Sequence, residues 1–126
     1  MFSRNFYLVM HIIGIAMLFT AMGGVAVHAA NGGTKGASRT RTLLAAVHGL
    51  GALLVLTGGF GMMARLGMNM RAAPPGWLMV KMFVWLLMTG LIYLPYRRVA
   101  LAKPFFLGLP LLAGVAAYMA LYKPFP

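Results

Sequence analysis

Residues 5–34 read NFYLVMHIIGIAMLFTAMGGVAVHAANGGT, a stretch without a single Asp, Glu, Lys or Arg. A bilayer core is about 30 Å thick and is crossed by roughly 20 apolar residues of helix, so this stretch alone is long enough to span one. Three more uncharged runs follow, at 42–64, 82–96 and 104–122, and the cations fall between them. Apolar residues make up 62% of the 126-residue chain, more than a soluble domain of that size hides in one core. The expected fold is all-α: one integral membrane domain over residues 1–126, a bundle of four transmembrane helices at about 5–29, 42–65, 75–94 and 104–122.

Turn residues set those limits. Gly32, Gly33, Gly36 and Ser38, with three cations, mark residues 30–41 as a mobile polar connection. Pro74 precedes the third helix and Pro75 begins it, because proline suits a first turn and cannot continue a helix. Pro95-Tyr96-Arg97-Arg98 ends it, and Pro104 opens the fourth. Pro110 lies inside the fourth and is expected to kink it. Residues 1–30 also imitate a secretory signal: Arg4, an apolar stretch, then Val27-His28-Ala29 as a cleavage site. The apolar stretch is longer than a signal's apolar region, so the segment reads as a retained anchor. Tyr7, Trp77, Tyr93, Tyr96 and Tyr122 fall near helix ends, where an aromatic body is apolar and its tip is wet. Trp85 falls mid-span and needs a packing neighbour.

The chain has 11 Lys and Arg, no Asp or Glu, and a formal charge of +11. Carboxylate acid–base pairs, carboxylate metal sites and side-chain ion pairs are therefore excluded, and the balancing anions lie outside the chain. A nucleic-acid binder gathers its cations on one face of a soluble domain. Here they punctuate apolar runs, so no nucleic-acid partner is expected. Zero cysteines exclude disulfides, iron–sulfur ligation and thioether haem. Only Ser3 and Ser38 supply serine hydroxyls, and no carboxylate can orient a His beside either, so the chain does not read as an enzyme. Lys35, Arg39, Arg41, Arg97, Arg98 and Lys103 share one side. Arg4, Arg65, Arg71 and Lys123 share the other, with Lys81 near it. The small excess places the first and third loops in the cytoplasm.

One motif occurs twice. His11-x-x-Gly14 is followed by Thr20, and His48-x-x-Gly51 by Thr57, at the same spacing. His11, Gly14, Leu18, Ala21 and Val25 form a seam on the first helix. His48, Gly51, Val55, Gly58 and Met62 form one on the second. Small residues on such seams let backbones approach in lipid, and the histidines would then bond to a neighbouring helix or water. The alternative is ligation, since an ionisable group inside a membrane marks a site and imidazole is an axial ligand for haem iron or chlorophyll magnesium. Antiparallel helices keep His11 and His48 apart. His28 and His48 lie on the same side and are the best pair for a bis-histidine haem b. The candidate cofactor-binding residues are therefore His48, His28 and His11, with a haem b or a (bacterio)chlorophyll as the ligand.

Met62, Met63, Met68 and Met70 offer soft thioethers to Cu(I), though methionine is also ordinary core filler, and no metal site is assigned to them. Lys81, one to two turns into the third helix, can snorkel to lipid phosphate. Arg97, Arg98 and Lys103 form a basic patch of the kind that attracts anionic lipid. These four are the candidate lipid-binding residues. Ala113, Ala116, Ala117 and Ala120 present a small-residue face, for packing in the bundle or against another subunit.

The first helix with His and Gly, the second opening Val47-His48-Gly49-Leu50-Gly51, and Gly76-Trp77 with Lys81 at the start of the third resemble small bacterial membrane proteins of the CopD/SirB type, over roughly residues 6–95. The resemblance implies a multi-pass protein of the bacterial cytoplasmic membrane. It also implies copper handling or haem b binding, through His11 and His48 and then His28. The expected function is a non-catalytic small polytopic subunit of a larger membrane electron-transfer or photosynthetic complex. It would bind anionic lipid and offer His to a tetrapyrrole. The alternatives are a free-standing haem b protein exchanging electrons with quinone, and a copper-handling or small transport protein.

Overall fold

The computed structural model describes residues 2–69 and 71–126, and the described residues are helices and their connections. The elements are α1 (Arg4–Ala30), α2 (Arg41–Arg65), α3 (Gly76–Gly90), α4 (Leu94–Arg97), a 3₁₀ turn (Val99–Leu101) and α5 (Ala102–Tyr122). Among the described residues three helical segments are long and apolar enough to cross a membrane: α1, α2, and Val99–Tyr122, which joins the 3₁₀ turn to α5. The chain is thus built as a membrane protein. At 15 residues, α3 is about 22 Å long and falls short of that length by itself.

Local chemistry explains the ends. The Ser3 hydroxyl accepts the Phe6 N–H at 3.2 Å and caps α1, meeting one of the donors a helix start leaves unpaired. At the far end of α1, Gly32 takes φ +85° and Gly33 N–H donates to the His28 carbonyl at 2.9 Å. At the end of α2, Gly67 takes φ +74° and Met68 N–H donates to the Met63 carbonyl at 3.1 Å. A side chain at either glycine would strain this left-handed stop.

The third helix departs from the sequence expectation. It begins at Gly76, with Pro75 just outside it as the cap, and it ends at Gly90 instead of Leu94. Glycine weakens the last turn, and proline disfavours helical backbone in the residue before it. Pro95 therefore sits in the first turn of a new short helix, α4. The fourth expected helix begins two residues early, at Ala102, and runs unbroken through Pro110. The first Trp77 N–H of α3 donates to the Phe125 carbonyl at 3.0 Å, which ties the start of α3 to the end of the chain.

α1 is the hub. It packs most extensively against α2, and also against α4 and α5, while α3 lies against α5 and α2. Leu18, Ala21, Met22 and Val25 of α1 meet Ala52, Val84, Met88, Ile92 and Leu109 in one apolar core. The seams read from the repeated motif face each other. Gly14, Leu18, Ala21 and Val25 are buried, as are Gly51 and Gly58. A Cβ on Gly14 would lie 2.7 Å from both the Gly51 carbonyl oxygen and the Val55 nitrogen. One on Gly51 would lie 2.8 Å from Met17 Cβ and 2.9 Å from the Gly14 oxygen. One on Gly58 would meet His11 N and Tyr7 O at 2.7 Å. These neighbours are backbone or the root of a side chain, so nothing there swings aside. Gly49, two positions from Gly51, has open space around it.

That contrast sets a test. Gly51→Ala should destabilise the detergent-solubilised protein by about 1–3 kcal/mol through overpacking. Gly49→Ala should leave it unchanged or slightly more stable. Tryptophan-fluorescence melting curves of the two variants check this, and equal melting would contradict backbone contact at Gly51.

Candidate functional site

The three histidines are the chain's only imidazoles, and each is positioned by a different pair of elements. His48, in the second turn of α2, is buried and points at α3. Its Nε2–H donates to the Met88 carbonyl at 2.9 Å. Met88 lies in the last turn of α3, where carbonyls run out of intrahelical donors, so a side chain of α2 caps α3. One turn further along both helices, Trp85 Nε1–H donates to the Ala52 carbonyl at 3.1 Å. Trp85 thus has the neighbour its mid-span position demanded, together with a backbone acceptor.

His11 faces α2 near the other end. Its Nδ1–H donates to the Val55 carbonyl at 2.7 Å, and Gly59 passes beside the ring. Since a carbonyl only accepts, Nδ1 carries the proton, and in the neutral ring Nε2 holds the lone pair. No bond engages that Nε2 among the described residues, and it is not among fully buried atoms left without a partner. A proximal imidazole has this arrangement: one nitrogen fixed by a carbonyl, the other free to coordinate.

His28 lies in the last turn of α1. Its Nδ1 shares a hydrogen bond of 2.6 Å with the Tyr96 hydroxyl, and its Nε2 edge packs against Gly33. Tyr96 stacks with Tyr93 at 6.3 Å, and Lys35 Nζ sits 4.0 Å over the Tyr93 ring. The first loop thus touches His28 of α1 at Gly33 and Tyr93, just before α4, at Lys35. A glycine at 33 admits the imidazole, and the Tyr93 ring gives Lys35 a surface to lie on.

The structure does not bring the histidines together. Gly14 against Gly51 sets the register of α1 and α2. From that level His48 lies three residues, and His28 fourteen, towards the same end of the bundle, which separates them by roughly 16 Å along the axis at about 1.5 Å per residue. Their nitrogens are turned to Met88 and Tyr96. A haem held between His28 and His48 does not fit this arrangement. Among the described residues no group of three or more His, Cys, Asp or Glu side chains comes together. Met62 and Met63 lie in the last turn of α2 and Met68 just beyond it. Met70 lies outside the described residues.

The four candidate lipid contacts divide between the two ends. Arg97 and Arg98 are exposed at the end of α4, and Lys103 is exposed in the first turn of α5. Lys81 is half-buried on α3, at the opposite end. There Lys123 lies 5.3 Å over the Trp77 ring. Partners such as Tyr96 and the carbonyls of Val55, Ala52 and Met88 carry no sequence signal of their own, since they follow from register between helices. No protein-family model, curated protein or solved structure matches the chain.

The His48 cap generates a prediction. His48→Ala leaves the Met88 carbonyl without its donor and should cost about 1–3 kcal/mol, whereas His48→Gln, which retains an N–H donor, should recover part of it. Unfolding in mixed detergents, followed by the tryptophans, measures both. Equal loss in the two variants would mean that the imidazole acts by shape alone.

Proposed function

We propose that this protein is a small, non-catalytic, polytopic subunit of a larger membrane assembly. The observation that carries the reading is the uneven covering of its helices. In the most apolar stretch of Val99–Tyr122 only 6% of the residues are buried within the chain, against 28% in α1 and 22% in α2. Leu107, Leu111 and Leu121 are 69%, 73% and 80% exposed. Polar chemistry, meanwhile, is spent between the chain's own elements: His48, His28 and Trp85 all bond across to a neighbouring helix. A chain that uses its polar groups to hold itself together and leaves one long helix bare is suited to assembly rather than turnover.

Four passes fit this reading best. The start of α3 is tied to the end of the chain at Phe125, and α4 is tied to the end of α1 at His28, so Gly76–Arg97 runs from one end of the bundle to the other. Ile92 and Pro95, at the interruption, are buried. Irregular backbone at membrane depth is tolerated where protein covers it.

The proposal of an electron-transfer or photosynthetic assembly rests on His11. Its unengaged Nε2 lone pair suits one axial bond to a tetrapyrrole metal, so a singly ligated pigment is favoured over a haem clamped by two histidines. Such a group would supply light absorption or electron transfer. The chain's part is to hold the imidazole through Val55.

A photoreactive residue placed by turns at Leu111 of α5, Ile12 of α1 and Leu53 of α2 tests the assembly reading in native membranes. Cross-links to one stoichiometric partner should concentrate at position 111. Equal labelling by lipid at all three positions, with the chain monomeric in mild detergent, would contradict it. Any visible absorption band of the isolated assembly assigned to this chain should vanish in His11→Ala and persist in His48→Gln.

A further inference from the structure

A groove of about 340 Å³ opens between the end of α1 and the start of α5. Its two walls run in opposite chain directions yet share one order of polarity. Nearest the helix ends stand Asn31, just past the end of α1, and Lys103, in the first turn of α5. One turn deeper the walls are Val27 on α1 and Phe106 with Leu107 on α5, with Ala30 between. The Phe106 ring reaches across to Gly23, where an added Cβ would sit 3.7 Å from it. A groove with a cation and an amide at its mouth and hydrocarbon below has the layout of a headgroup over an acyl chain. The chain has no Asp or Glu, so no side-chain carboxylate of its own is available to Lys103.

A second groove, of about 320 Å³, supplies the contrast. It lies between Met22, Leu87, Leu91 and Leu112 and has no cation among its lining residues. Any lipid chain could lie there, with nothing to select its headgroup. Lys81, the other membrane cation, lines neither groove.

We infer that the α1–α5 groove is a specific site for an anionic glycerophospholipid. Its phosphate lies against the Lys103 ammonium and the Asn31 side chain, and one acyl chain runs along Val27, Phe106 and Leu107. The inference rests on the reading that hydrocarbon surrounds these helices, and on no partner protein. Arg97 and Arg98, exposed at the same end, raise the local concentration of anionic lipid without lining the groove.

Native mass spectrometry of the full chain in mild detergent tests the site, with phosphatidylglycerol and phosphatidylcholine of identical acyl chains added together. The first bound lipid should be phosphatidylglycerol by roughly fivefold, the ratio that one cation near a lipid surface supplies. Lys103→Ala should erase the preference while a lipid still binds, and Arg97→Ala should keep it. Ala30→Phe, which fills the groove, should lose the first lipid of either kind. Leu107→Trp narrows the groove from an exposed position and serves if Ala30→Phe does not fold. Glycerol phosphate, the headgroup without chains, should not compete. Equal retention of the two lipids, a preference that survives Lys103→Ala, or displacement by glycerol phosphate would each overturn the site. The isolated chain is used throughout, so failure here leaves the assembly reading untouched, and failure to find a partner leaves the lipid result untouched.

Discussion

Hydrocarbon offers a helix no hydrogen bond and no force that drives apolar faces together, and the features of this structure answer that constraint. In water a chain with 62% apolar residues would collapse on itself. In lipid, association comes from close packing and from polar groups that find each other. The α1–α2 contact supplies the first through Gly14, Gly51 and Gly58, where backbone meets backbone. Three side-chain donors supply the second by reaching backbone carbonyls on neighbouring helices: His11 to Val55, Trp85 to Ala52 and His48 to Met88. Two of these join α2 to α3, a pair with few other contacts. Two of the three polar bonds are thus placed where packing is thin, and the third reinforces the α1–α2 seam.

The same constraint divides the histidines by role. A repeated motif invites one explanation for both copies, and the structure provides two. The glycine of each copy does the same work in the shared seam. The imidazoles do not, since His48 ends α3 through Nε2 whereas His11 is held through Nδ1 and keeps Nε2 free. The same local sequence thus turns one imidazole towards α3 and the other towards α2.

How much of this was legible beforehand depends on what each feature answers to. Helix existence, the glycine seams and the two-ended division of charge follow from composition and spacing, and the structure carries all three. The third helix is where local reading fell short. A hydrophobic run continues through Leu91 and Leu94, yet Gly90 and Pro95 divide it, and burial of Ile92 and Pro95 makes the break tolerable. Trp85 was conspicuous by depth, but its acceptor was not, because Ala52 becomes a partner only through the register of α2 and α3. The separate levels of His28 and His48 were hidden for the same reason. Being on one side of the membrane says nothing about the eleven helical residues that separate their levels.

Three long apolar helices mark this chain as a membrane protein, and we propose that it crosses the bilayer four times, with α3 and α4 together making the third pass. The absence of native cysteine allows a direct measurement: single cysteines at Ala37, Asn69, Ala100 and Phe125, probed with a membrane-impermeant thiol reagent in sealed vesicles. The account predicts that positions 37 and 100 react from one face and positions 69 and 125 from the other. Reaction of 69 and 100 from the same face would show that Gly76–Arg97 does not cross, and would contradict it.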